Sequence, residues 1–154
     1  MRWKLTMLAV VVAAAAGYGA QALASSDDRQ AHGMLRSQVL TGPACGSPIG
    51  LCTAGRLTGT INGDFVFSAT RLEPSDTPGV LFYTGHIVVQ TQKGEVRCQD
   101  AGSFQVVAPG AVADICTITG GTGDWAGVTG HIRIHGTFTF EDGGFSHYEG
   151  LISK

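Results

Sequence analysis

Charge is scarce in this sequence and nearly balanced in sign. Only 14% of its 154 residues are Asp, Glu, Lys or Arg, with ten basic residues against twelve acidic ones. No basic cluster breaks that balance, which argues against nucleic acid or an anionic membrane as the partner. Also missing are the spacings that build metal and hydrolase sites: there is no HExxH, no CxxC pair, no acidic cluster and no GxSxG elbow. His131 and His135 are four apart in a strand pattern, about 13 Å along one face, and cannot chelate one ion. No metal and no cofactor are therefore expected. No helical periodicity of useful length follows residue 30, so helical bundles and helix-covered parallel sheets are excluded as well.

The one sustained apolar run, Leu5–Ala16, follows Arg2 and Lys4 and precedes Ala22-Leu23-Ala24, a small-x-small cleavage site. It is shorter than the roughly 20 residues of a spanning helix. Residues 1–24 therefore read as a secretory signal peptide, with no membrane anchor after cleavage and secretion as the destination. Removal leaves eight basic against twelve acidic residues, a net charge of −4. Residues 25–31 read as a flexible polar tail, and 32–154 as one domain.

Four cysteines in an exported chain indicate two disulfides, for which three pairings exist. Cys45 and Cys52 flank the turn-rich Gly46–Leu51, and Cys98 and Cys116 lie on consecutive strand candidates across Pro109-Gly110. The favoured pairs are 45–52 and 98–116.

Eight alternating runs are separated by turn residues: His32–Leu40, Thr53–Ile61, Asp64–Leu72, Val80–Thr91, Glu95–Val106, Val112–Ile118, Val128–Phe140 and Phe145–Ile152. Eight antiparallel strands can close into a barrel, which removes the edges that an exported sheet would expose. Five glycines crowd Ile118-Thr119-Gly120-Gly121-Thr122-Gly123-Asp124-Trp125-Ala126-Gly127-Val128-Thr129-Gly130. A phosphate-binding loop would lead into a helix, whereas a strand pattern follows here, so this stretch reads as a sheet corner.

The same stretch resembles the signature of the allene oxide cyclase and dirigent barrel families, through Gly121, Thr122, Gly123, Trp125, Gly127 and Gly130. The likeness continues through His131–Phe140 and Tyr148-Glu149-Gly150-Leu151. It implies an all-β fold, a closed antiparallel eight-stranded β-barrel, as in an exported bacterial member of this group. It also implies cofactor-free cyclisation or isomerisation of a small molecule, and association into a trimer or dimer. The run His32–Leu40 departs from the cyclase pattern, in which an early strand carries an acid.

Register arithmetic then nominates a site. With Asp142-Gly143 as a two-residue turn, Ile132, Ile134, Phe138, Phe140, Phe145, His147, Glu149 and Leu151 share one face, read as the lumen; a one-residue shift would reverse one strand. His147 and Glu149 are then ionisable groups on an apolar wall, candidates for general acid and base. The opposite face, with His131, Arg133, His135, Tyr148 and Ile152, is the candidate surface for association. The Lys93-Gly94 turn puts Tyr83, Ile87, Val89, Cys98, Asp100 and Phe104 on one face, adding Asp100 as a third candidate catalytic group and Tyr83 and Phe104 as ligand contacts. If Phe65 and Phe67 point inward, Arg71 does too, as a donor to an anion or carbonyl. The expected function is a secreted barrel that binds a small, largely apolar molecule. The alternative is a non-catalytic binding or structural barrel whose aromatics fill the core.

Overall fold

The computed structural model describes residues 27–154; the expected signal peptide lies outside these residues. Eight strands occur in order: β1 Arg29–Val39, β2 Cys52–Gly59, β3 Gly63–Pro74, β4 Val80–Thr91, β5 Gly94–Gln105, β6 Gly110–Gly121, β7 Thr129–Thr139 and β8 Gly143–Ser153. Each pairs antiparallel with its neighbours in sequence, and β1 pairs with β8, so the sheet closes into an eight-stranded barrel. All eight expected strands are present. β1 starts earlier than expected: Arg29 pairs with Ile152, and Ala31 is buried. The barrel therefore takes in residues 29–31, which were assigned to the tail.

Alternation does the work of burial. Val96, Cys98, Asp100, Gly102 and Phe104 on β5 point inward, as do Ile132 and Ile134 on β7, while Arg97, Gln99, Ala101 and Arg133 between them face solvent. The two ends of the barrel differ. At one end the short turns β2–β3 and β4–β5 meet the Gly-rich segment, whose Trp125 folds in over the core and donates its indole N–H to Thr91 Oγ1 at 3.0 Å. Leu57, Ile61, Val89, Val96, Ile118, Val128 and Ile152 fill the space beneath it. Tyr148 crosses this closed end. Its hydroxyl accepts the Ile61 N–H at 2.9 Å and lies 3.1 Å from the carbonyl oxygens of Thr58 and Ile61, to one of which it donates. The other end, ringed by the loops after β1, β3, β5 and β7, is open.

Both favoured disulfides are present, Cys45–Cys52 and Cys98–Cys116, each with Cα atoms 5.5 Å apart. The first closes the β1–β2 loop at the open end. The second spans β5 and β6 inside the barrel.

Three turns and bulges decide which side chains face inward. The β4–β5 turn is Gln92-Lys93, with Thr91 opposite Gly94. This slides the expected register by two residues and keeps every face. The β7–β8 turn has three residues, 140–142, with Thr139 opposite Gly143. Gly143 takes φ +80°, a left-handed conformation suited to ending such a loop. Thr139 Oγ1 accepts the Asp142 N–H at 2.8 Å and fixes the bend. An odd displacement turns β8 over relative to the expected register. His147, Glu149, Phe145 and Leu151 therefore lie outside the barrel, and Tyr148 and Ile152 lie inside it. In β3, a bulge between Ala69 and Arg71 inserts Thr70. Phe65 and Phe67 stay inward while Arg71 turns out, where it pairs with Glu73.

Candidate functional site

The open half of the lumen holds a cavity of about 90 Å³, lined mainly by apolar side chains. That is room for more than one water molecule, in a wall that offers water few partners. Its polar feature comes from β4, β5 and β6. Tyr83 is paired with Gly102, and Gly102 with Asp114, so the three lie in one row across the sheet. The Tyr83 hydroxyl reaches past β5 and donates to Asp114 Oδ2 at 2.7 Å. Gly102 is what permits this reach, because a Cβ there would come within 2.3 Å of the Asp114 Cβ. Asp100, two residues earlier on β5, points into the same space and is 4% exposed.

Two carboxyl groups so placed cannot both ionise at ordinary cost. Burial pushes Asp100 up to about 8, with the neighbouring Asp114 charge adding to the effect. Burial also raises Asp114, to about 6, against the lowering effect of the Tyr83 hydrogen bond. The Tyr83 phenol is raised in turn, by burial first and then by the two carboxylates, so it stays protonated and acts as a donor. Burial and mutual repulsion therefore favour a proton shared by the pair over two charges. Among the described residues, the buried side-chain oxygens without a hydrogen-bond partner are Oδ1 of Asp100 and Oδ1 of Asp114. A buried polar atom left unpaired is costly, and these two border the cavity.

Aromatic rings lead from this pair to the open end. Phe67 stands edge-on to Tyr83 at 5.5 Å, Tyr83 lies 6.2 Å from Phe104, Phe104 lies 5.9 Å from Phe140, and Phe138 lies 5.4 Å from Phe140. Phe140, on the β7–β8 turn, is 55% exposed and forms part of the rim. Ser37, Thr53, Thr137 and Ser146 add hydroxyls along the wall.

The structure thus brings together Asp100, Tyr83, Phe65, Phe67, Phe104, Phe138 and Phe140. It separates them from His147, Glu149 and Arg71, all on the outer surface, where Glu149 meets Arg133 at 3.2 Å. Sequence reasoning missed Asp114. A signal was present: Cys116 bonds to Cys98 on the inward face of β5, so Asp114, two residues from Cys116, must face inward too. Among the described residues no three His, Cys, Asp or Glu side chains converge closely enough to cage a metal ion.

No protein-family model matches this chain, and neither does any curated protein. Among solved structures, the pterocarpan synthase dirigent protein GePTS1 is similar, at 13% identity and a TM-score of 0.37, over 98% of this chain and 97% of that one.

Proposed function

We propose that this protein is an exported barrel that binds a small, largely apolar molecule in the open half of its lumen, with an oxygen of that molecule against Asp100 and Asp114. The observation that carries this reading is the pair of unpartnered carboxyl oxygens beside an apolar cavity. A ligand hydroxyl or carbonyl would supply the missing hydrogen bonds, and the aromatic wall would hold the remainder in one conformation. The chemistry open to such a site is a proton-neutral cyclisation or isomerisation without a cofactor. Asp100 gives its proton to a ligand oxygen or carbon while the Asp114 carboxylate, steadied by Tyr83, removes one elsewhere. The total proton count does not change. The resemblance of Ile118–Gly130 to the allene oxide cyclase and dirigent families, here as an exported bacterial member, agrees with this reading. Two disulfides are consistent with an oxidising compartment.

Mass spectrometry of small molecules that co-purify with the mature protein tests the reading. A stoichiometric ligand retained by the wild type and lost from both Asp100→Asn and Asp114→Asn is expected. Equal retention in both variants would remove the carboxyl pair from the function. A second reading, a non-catalytic barrel, is favoured by the small size of the cavity; a bound ligand recovered unchanged after prolonged incubation would select it. Association into dimers or trimers is proposed through the outer surface. With Tyr148 and Ile152 inside the barrel, exposed Phe82 and Ile115 would supply the apolar contact, and a monomer mass by light scattering would refute it.

A further inference from the structure

Strand register assembles a second cluster on the outside of the barrel, which the lumen chemistry does not use. His135 on β7 is directly opposite His147 on β8, and Met34 on β1 is directly opposite His147 on its other side. In the next outward row Glu149 lies between Arg133 on β7 and His32 on β1. His32, Met34, His135, His147 and Glu149 border one shallow depression, and all five are exposed.

The ring centres of His135 and His147 are 6.1 Å apart, with planes 30° from parallel. An ion held about 2.0–2.1 Å from one nitrogen of each ring needs ring centres about 5–6 Å apart. The separation already present is close to that, and rotation about χ2, a soft torsion for histidine, turns the nitrogens toward each other. Met34 adds a flexible thioether from the neighbouring strand. Two cations flank the site: Arg133 is offset by its ion pair with Glu149 at 3.2 Å, and Arg36 on β1 is turned over the Phe145 ring, 5.3 Å from its centre. The ligands of a closed structural zinc site are not assembled here. Two imidazoles beside a thioether suit an ion that accepts few ligands and prefers soft ones. The geometry points to a copper(I) site on the outer face of β7, β8 and β1, made by His135, His147 and Met34.

This inference is independent of the lumen reading and is tested without any lumen ligand. Tag-free mature protein is titrated with copper(I), held reduced by ascorbate, against a chromogenic copper(I) chelator. The expected result is withdrawal of one equivalent of copper. His135→Ala and His147→Ala should each weaken binding at least tenfold. Met34→Leu should weaken copper(I) binding several-fold while leaving zinc(II) binding unchanged. His86→Ala and His131→Ala, on other parts of the outer surface, should bind as the wild type does. Circular dichroism of each variant at neutral pH checks that these exposed substitutions leave the barrel intact. Failure of the wild type to draw copper from the chelator overturns the proposal. So does equal withdrawal by a folded His135→Ala/His147→Ala double variant, and a Met34→Leu protein with wild-type copper(I) affinity removes the thioether from the site.

Discussion

The two halves of the barrel are built from the same eight strands and are packed on opposite principles. In the closed half the space under Trp125 is taken by aliphatic side chains, and the polar atoms inside, the Tyr148 hydroxyl and the Trp125 indole N–H, have partners. In the open half, two carboxyl groups face a cavity with an oxygen each unpaired, and the aromatic wall rises to a partly exposed rim. A continuous sheet can therefore carry a rigid plug at one end and a costly polar arrangement at the other, with the first stabilising the fold that holds the second in place.

Substitutions should separate the halves. The largest effect is expected at the plug: Trp125→Ala removes a buried ring and should cost about 3–5 kcal/mol, read as a lower urea midpoint. Tyr148→Phe leaves the Ile61 N–H without its acceptor and should cost about 1–3 kcal/mol in the same measurement. If either variant is as stable as the wild type, the closed half is not the stabilising one.

In the open half the sign should reverse. Asp100 and Asp114 have folded pKa values of about 8 and about 6, raised above those of an unfolded chain. The folded protein therefore binds more protons than the unfolded chain between the two sets of values, so stability is greatest on the acid side and falls as pH rises from about 4 toward 8. The thermal midpoint should be higher at pH 5 than at pH 8, and Asp100→Asn should flatten that slope. A midpoint that rises over the same range would contradict the burial of the pair. Smallest of all, Glu149→Gln and His147→Ala should change stability by about 0.5 kcal/mol or less and leave binding of a hydrophobic probe in the lumen unaltered. Loss of probe binding in these two alone would place them at the cavity after all.

How much of this was legible in the sequence depended on which property parity controls. The eight strands and both disulfides could be read because turn residues and alternation repeat locally, around Lys93-Gly94 and Pro109-Gly110. The face of β5 survived an error of two residues at the Gln92-Lys93 turn, since side chains repeat every second position. The face of β8 did not survive the choice between a two- and a three-residue loop at 140–142, and His147 and Glu149 went with it. Arg71 was misplaced by a single extra residue, Thr70, which no composition signal marks. Of the two carboxyl groups at the cavity, Asp100 stood out as the polar member of an apolar face, whereas Asp114 needed the disulfide to be used as a ruler.

The Tyr148 hydroxyl joins the last strand to the turn between the second and third, across a sequence separation of 87 residues. The β1–β8 seam, with Arg29 opposite Ile152, is more distant still in sequence. Contacts of such long range are rewarded only after a large loss of chain freedom, and they set the pace of folding. The final strand is therefore the piece that latches the barrel: until β8 is in place, the facing edges of β1 and β7 both lack the partner that closes the sheet.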